Sequence, residues 1–373
     1  MAPGAVPALQ EELASFPKML VVAGQHSHEP ETWKALQAFQ AATGAVVVGD
    51  IIANTHTLPG SVGHPDVIIP SLTESRRQAL RPDLLLTFGK SIISKNLKLY
   101  LRSHPPREHW HLQQAGEVAD TFQSLTRILR VAPGSFFGAL GEVNQSPSAP
   151  SERKAFALAW QEEEGKAALF IARFLTGAPY NEFAAFQEVM RLLPQPGLLH
   201  LANSMAVRYA NLIGLAQDQH LTVYANRGTS GIDGSTSTAV GTALGTDQPV
   251  TLLTGDLAFF FDRNALWHNY SLPHLRIVVF NNHGGGIFRL IDGPGQQPEL
   301  DTYFETHQAL TAEATAREAG FRYFACSSRE ELQAALPSFF SPEPGAALLE
   351  ITTDSRENAA FFQAYRQACR QGR

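Results

Sequence analysis

Two short segments hold the residue types that bind a divalent cation beside a phosphate. Gly255-Asp256-Leu257 follows the apolar run Val250–Thr254, and Asn281-Asn282-His283-Gly284-Gly285-Gly286 follows Arg276–Phe280. Glycine at a strand end permits a tight turn, and the aspartate after it projects a hard oxygen into the crevice at the carboxyl edge of a parallel sheet. Asp256 and Asn282 lie one strand–helix–strand crossover apart, so adjacent parallel strands would bring the two tips together. A carboxylate, a side-chain amide oxygen and a backbone carbonyl from a glycine run suit octahedral Mg²⁺, which keeps positions for phosphate oxygens. The glycines let backbone N–H groups approach a diphosphate. Either segment alone reads more readily as a helix start or a turn; their pairing on consecutive strand ends favours the cation site.

Arginines supply a second kind of chemistry. In Asn203-Ser204-Met205-Ala206-Val207-Arg208, just after a strand, Ser204 is expected to cap a helix that carries Arg208 one turn on. Asn226-Arg227-Gly228-Thr229-Ser230-Gly231-Ile232-Asp233-Gly234 follows the next strand, and its three glycines suit a tight loop against a ligand. A guanidinium forks onto carboxylate in two bonds, which suits a di- or tricarboxylate substrate. A lone arginine is otherwise solvated or paired with an acid, and Ile232 would serve equally as core filling. Ser91-Ile92-Ile93-Ser94-Lys95 is placed at the start of a helix, where anion capture is reasonable; a surface lysine is the plain alternative.

These segments together resemble the 2-succinyl-5-enolpyruvyl-6-hydroxy-3-cyclohexene-1-carboxylate synthases, thiamine-diphosphate-dependent transferases of menaquinone biosynthesis. Most thiamine-diphosphate decarboxylases have Gly-Asp-Gly where this chain has Gly-Asp-Leu, and Gly-Asp-Leu followed by Asp262 and Asn264 suits the menaquinone-pathway family, as does Val278–Phe288. The resemblance implies that Asp256, Asn282 and the Gly284 carbonyl hold Mg²⁺ or Mn²⁺. It implies further that Ser204, Met205, Gly255, Leu257, Ala258, Gly285, Ile287 and Phe288 line the thiamine diphosphate site, with Ile232 propping the cofactor into its bent conformer. Arg208, Arg227 and Lys95 would meet substrate carboxylates, although the arginine that the family has next to the lysine is Asn96 here. The implied reaction is decarboxylation of 2-oxoglutarate and conjugate addition of the succinyl semialdehyde unit to isochorismate. In that family a further, N-terminal pyrimidine-binding domain supplies a glutamate that activates the cofactor, and sites lie at subunit interfaces. The chain is therefore expected to be a C-terminal fragment, inactive alone, that forms a homodimer or tetramer, with a separate chain as a candidate source of the pyrimidine domain.

The elements that must position these residues alternate as β and α, the pattern of parallel sheets. In the first half, Met19–Ala23, Val46–Val48, Asp83–Phe88 and His109–Leu112 read as strands, with helices at Glu31–Ala42 and Ile92–Leu101. Val131–Pro150, rich in proline and glycine, reads as a linker. Helices follow at Ser151–Leu175 and Asn181–Leu193. In the second half, strands are expected at Leu198–Ala202, Leu221–Tyr224, Val250–Thr254, Arg276–Phe280 and Ala347–Ile351. Helices are expected there at Ser204–Leu212, Gly234–Gly245, Phe259–Tyr270, Thr311–Ala319, Glu330–Phe340 and from Arg356. This predicts an α/β chain of two doubly wound parallel-sheet domains: a central domain over residues 1–165 and a diphosphate-binding domain over 166–373.

Composition narrows the class. The net charge of −6, without a basic run, disfavours nucleic-acid and anionic-membrane surfaces. Residues 1–17 lack the pattern of a secretory signal, the apolar runs are strand-sized, and two cysteines are too few for a disulfide framework, so a cytoplasmic protein is expected. Gly49-Asp50 reads as a strand-end turn, and His26, His28, His56 and His64 lack metal-type spacing. Ser204 with His200 is no hydrolase pair, because no Gly-x-Ser-x-Gly elbow is present. Two other classes stay open: an acetolactate-type thiamine-diphosphate enzyme and a non-catalytic cofactor-binding relic.

Overall fold

The computed structural model describes residues 5–27, 29–141, 151–343 and 345–371; His28 and the 142–150 part of the expected linker lie outside them. The chain divides into two compact units, the first of Met1–Phe170, Gly214–Asp218 and Cys369–Arg373, the second of Ile171–Ile213 and Gln219–Ala368. Each is built on one all-parallel sheet, as the β/α alternation predicts.

In the first unit β1 (Met19–Ala23), β2 (Val46–Gly49), β3 (Leu84–Phe88), β4 (Glu108–Leu112) and β5 (Arg127–Leu129) run in the order β2-β1-β3-β4-β5. Every residue of β1, β2 and β3 is buried, as expected of parallel strands with helices over both faces. The expected linker is wrong over its first half: Pro133–Gly141 is a helix. Its Phe136, Phe137 and Leu140 are buried, and its glycines are contact points rather than breaks. A Cβ on Gly141 would come within 2.8 Å of the Phe39 nitrogen, and one on Gly134 within 2.9 Å of the Thr32 hydroxyl. Small residues are what let this helix lie against Pro30–Thr43.

In the second unit β6 (Gly197–Leu201), β7 (Leu221–Ala225), β8 (Val250–Gly255), β9 (Leu275–Asn281), β10 (Arg322–Cys326) and β11 (Ala347–Thr352) run in the order β10-β11-β9-β8-β6-β7. The chain passes from β6 out to β7 and back over to β8, so the direction of winding reverses between β6 and β8. Ligands of open α/β sheets bind in the crevice at the carboxyl ends beside such a switch. The expected helix Phe259–Tyr270 is replaced by a shorter one, Asp256–Phe261, and a 3₁₀ turn at Arg263–Leu266. Asp262 ends the helix because its carboxylate is drawn aside, accepting from the Ser237 N–H at 2.8 Å and hydroxyl at 2.7 Å. No helix among the described residues is long and apolar enough to cross a membrane.

Candidate functional site

Parallel register places Gly255 opposite Phe280, so Asp256 and the Asn281-Asn282 pair leave neighbouring strand tips. Asp256 is the first residue of its helix and is buried. Burial pushes its carboxyl up to about 6, against hydrogen bonds from the Gln308 amide and the Leu257 and Gly284 N–H groups and the nearby His283. Gln308 Nε2 stands 2.8 Å from Asp256 Oδ2.

The two asparagines are not equivalent. Asn281 is fully engaged: its Nδ2 donates to Glu350 Oε1 at 2.7 Å and to the Leu310 carbonyl at 3.0 Å, and its Oδ1 accepts from His283 N and Gln308 Nε2. Asn282 donates through Nδ2 to Glu182 Oε2 at 2.7 Å, whereas its buried Oδ1 has no donor among the described residues. An acceptor left bare in this way costs about 1–3 kcal/mol unless something electropositive meets it. Asp256, Asn282 Oδ1 and the Gly284 carbonyl are hard oxygens at these strand tips of the kind that would suit Mg²⁺. The Gly284 carbonyl accepts from Gly286 N–H at 3.0 Å, which leaves its second lone pair. His283 is held at a φ of 62°, and a Cβ on Gly284 would come within 2.8 Å of the Glu305 carbonyl. Ile287 and Phe288 follow, half-buried, on the 3₁₀ turn Gly286–Arg289, and Leu257 and Ala258 continue the Asp256 helix.

The arginine segments meet at the ends of β6 and β7. Ser204 does not adopt the extended conformation of a helix cap; it sits at a φ of 69°, just before the helix Met205–Ile213. Such a conformation costs a non-glycine residue about 1–3 kcal/mol and clusters at functional sites. Asn203 Nδ2 donates to the carbonyls of Asn226 and Gly231, both at 2.7 Å, and so ties down the loop that carries Ile232. Arg227 reaches Asn203 Oδ1 at 2.6 Å, and the exposed Arg208 donates to the Ser204 carbonyl. Both guanidinium groups therefore converge on the Asn203–Ser204 turn. His200 stacks on Tyr224, and burial lowers its imidazole to about 4, which leaves it neutral.

In the first unit the helix expected at Ile92–Leu101 begins at Lys95, with Ser94 as its cap. Lys95 is exposed there. The protein's own carboxylates occupy the preceding turn: Asp50 accepts from Ile93 N and Ser94 N, and Asp66 from the Ser94 hydroxyl and Asn96 N. Asp50 thus holds the turn that leads into this helix rather than being a simple strand-end turn residue. Burial, with Asp66 adding repulsion, pushes its carboxyl up to about 7 from an ordinary 3.8. A folded value above the unfolded one means that the buried group favours folding when protonated, and that stability falls as pH rises from about 4 through about 7. Asp50→Asn is expected to stabilise the first unit at pH 8 by about 1–3 kcal/mol. It should also flatten the dependence of melting temperature on pH between 5 and 8; a variant that melts below the parent at pH 8 would contradict this account.

Sequence reasoning missed three contributors. Glu182 and Asn358 contact the Asn282 side or each other, and Gln308 contacts Asp256. Glu182 reads in sequence only as an acidic residue at a helix start, and nothing local links it to a strand tip a hundred positions on. Gln308 and Asn358 lie in no motif.

The comparisons with known proteins bear on the family of the chain. The family model described as "Middle domain of thiamine pyrophosphate" matches residues 10–201, more than half of the chain, and "Thiamine pyrophosphate enzyme, C-terminal TPP binding domain" matches residues 204–351. The 2-succinyl-5-enolpyruvyl-6-hydroxy-3-cyclohexene-1-carboxylate synthase of Cytophaga hutchinsonii is 40% identical over 365 residues, 98% of this chain and 63% of its own length. The enzymes of the same name from Porphyromonas gingivalis and Flavobacterium johnsoniae are 36% and 33% identical, over 96% and 93% of this chain and 62% and 61% of their own. The chain thus spans about three fifths of the length of the curated relatives it matches. With its middle and C-terminal models matched in order and a hard-oxygen set at the strand tips of the second unit, the chain belongs to the thiamine pyrophosphate enzyme family.

Proposed function

We propose that this chain carries the middle and cofactor-binding parts of a 2-succinyl-5-enolpyruvyl-6-hydroxy-3-cyclohexene-1-carboxylate synthase, converting 2-oxoglutarate and isochorismate. The observation that carries the reading is the pair of neighbouring strand tips that Asp256 and Asn282 leave, with the Asn282 oxygen lacking a donor among the described residues. The names of the relatives supply the product, and the resemblance in sequence implies the two substrates. In this reading Asp256, Asn282 and the Gly284 carbonyl hold Mg²⁺ or Mn²⁺ against the cofactor diphosphate. Ser204, Met205, Ile232, Gly255, Leu257, Ala258, Gly285, Ile287 and Phe288 contact thiamine diphosphate. When bound, the cofactor supplies the electron sink for decarboxylation and carbon–carbon bond formation.

The chain's own residues orient charge. Arg208 and Arg227 offer forked donors to substrate carboxylates, and Lys95 of the first unit is proposed as a further carboxylate contact. The donor-free Asn282 oxygen accepts no proton; it places a cation, which neutralises diphosphate charge. Activation of the cofactor's pyrimidine ring is assigned to a separate pyrimidine-binding domain, and the working assembly to a homodimer or tetramer of cytoplasmic chains.

The test pairs this chain with the separately expressed N-terminal domain of the Cytophaga hutchinsonii relative, plus thiamine diphosphate and Mg²⁺. Consumption of isochorismate with 2-oxoglutarate, and no product from pyruvate, is expected only when both chains are present. Turnover of pyruvate in preference to 2-oxoglutarate would replace this reading with an acetolactate-type one. A mixture that binds cofactor and turns over neither acid would overturn it.

A further inference from the structure

The bare oxygen of Asn282 raises a question of orientation. A side-chain amide has an acceptor at one end and a donor at the other, and only one way round can serve a cation. Turned by a half rotation, Asn282 would aim its NH₂ group at the metal position and repel the ion.

A chain of hydrogen bonds in the second unit determines which way round it stands, and it starts from a group that has no choice. The backbone N–H of Glu182 only donates, and Asn358 Oδ1 accepts from it at 2.8 Å. Asn358 must therefore turn its NH₂ the other way, where it donates to Glu182 Oε2 at 3.1 Å and to the Thr353 hydroxyl at 2.9 Å. Glu182 Oε2 is thereby an acceptor, and the second donor that it receives is Asn282 Nδ2 at 2.7 Å. Glu182 and Asn358 are both buried, which shields these bonds from bulk solvent. The polarity of one backbone amide is handed through two side chains to Asn282 and leaves its oxygen free.

We propose that Glu182, held by Asn358, is a positioning residue: it locks the Asn282 amide with Oδ1 turned out as a ligand for the divalent cation. The inference rests on the cation-site reading proposed above and adds the residues that make the site selective for a cation. Partners outside the ligand shell commonly contribute about 10- to 100-fold to metal affinity by orienting the ligands.

The experiment is titration of the whole chain with Mn²⁺ in the presence of thiamine diphosphate, free Mn²⁺ being read by electron paramagnetic resonance. Glu182→Leu, which removes the acceptor, is expected to weaken Mn²⁺ binding by about 10- to 100-fold. Glu182→Gln keeps an oxygen that can accept and should bind more tightly than Glu182→Leu. Asn282→Asp alone sets two carboxylates face to face and should bind poorly. Joining it to Glu182→Gln alone would set the new amide NH₂ against that of Asn358, which donates to the same atom, so Asn358→Asp is added. The three together restore donor–acceptor pairs with an oxygen outward and should recover most of the loss.

Rescue by the triple variant is a result that a merely structural role for Glu182 would not give, and it stands even if Glu182→Leu does not fold. A Glu182→Leu chain that binds Mn²⁺ as tightly as the parent, or a triple variant no better than Asn282→Asp, overturns the inference and leaves the site reading intact. A parent chain that takes up no Mn²⁺ with thiamine diphosphate overturns the site reading, and this inference with it.

Discussion

Replacing Asp256 with alanine is expected to abolish Mg²⁺-dependent binding of thiamine diphosphate by this chain while leaving the second unit folded. Calorimetry should show a fall in affinity of more than about 100-fold, beyond what changes outside the ligand shell produce. Asp256 is the charged member of the oxygen set, and the Asn282 oxygen and Gly284 carbonyl alone offer only dipoles to a hard cation. Loss of binding is separable from loss of fold because the two effects have opposite signs. Burial holds the Asp256 carboxyl at about 6, above the ordinary 3.8, so the ionised group opposes folding above that pH. At pH 8 the variant should melt no lower than the parent. For the same reason Mg²⁺ uptake by the parent should weaken as pH falls through about 6, where protons compete for the carboxylate. Cofactor binding that stays Mg²⁺-dependent in the variant would move the cation site elsewhere.

The largest expected effect on stability is at Arg276, far from the site at the opposite end of β9. This arginine is buried, and its hydrogen-bond partners among the described residues are all carbonyl oxygens. Its Nε donates to Phe339 at 2.9 Å, its NH1 to Pro273, Leu275 and Gly345, and its NH2 to Ser341 and Glu343. One guanidinium thus closes the turn that leads into β11 and binds it to the start of β9. Burial, with Arg322 adding repulsion, lowers its pKa from the ordinary value; the carbonyl dipoles keep the charge tolerable. Truncation leaves several carbonyls without donors, each costing about 1–3 kcal/mol where water cannot reach. Arg276→Ala is expected to lose about 3 kcal/mol or more, read as an earlier urea transition of the second unit. Arg276→Lys, with three donors on a flexible stem, should lose less. A variant within 1 kcal/mol of the parent would mean that solvent replaces these bonds without cost.

The fold was legible wherever apolar runs were long enough to be buried on both sides. β1, β3, β8 and β9 stand within a residue or two of their expected places because such runs have few other ways to leave water. Proline and glycine misled at Pro133–Gly141, where they read as loop. Proline starts that helix without cost at its first turn, and glycine brings it close to its neighbour; neither use differs in sequence from a break. The helix expected to run on to Tyr270 failed for a similar reason. Asp262 bonds to Ser237, a residue that local periodicity cannot see.

Sequence alone therefore determined the class of this protein, two parallel α/β sheets, and the residue types that gather at the carboxyl ends of the second. Both follow from local rules: periodicity places strands, and a glycine or asparagine after a strand places a turn. It could not divide labour among those residues. That Asn281 is spent on Glu350 while Asn282 keeps an oxygen without a donor among the described residues, that Arg227 rests on Asn203, and that Asp50 holds the turn before the Lys95 helix were decided only by tertiary structure. The physical reason is that a hydrogen bond's worth depends on which partner is left over once all buried groups are satisfied. That remainder belongs to the packed whole, and Glu182 reaching Asn282 across a hundred residues is its plainest case.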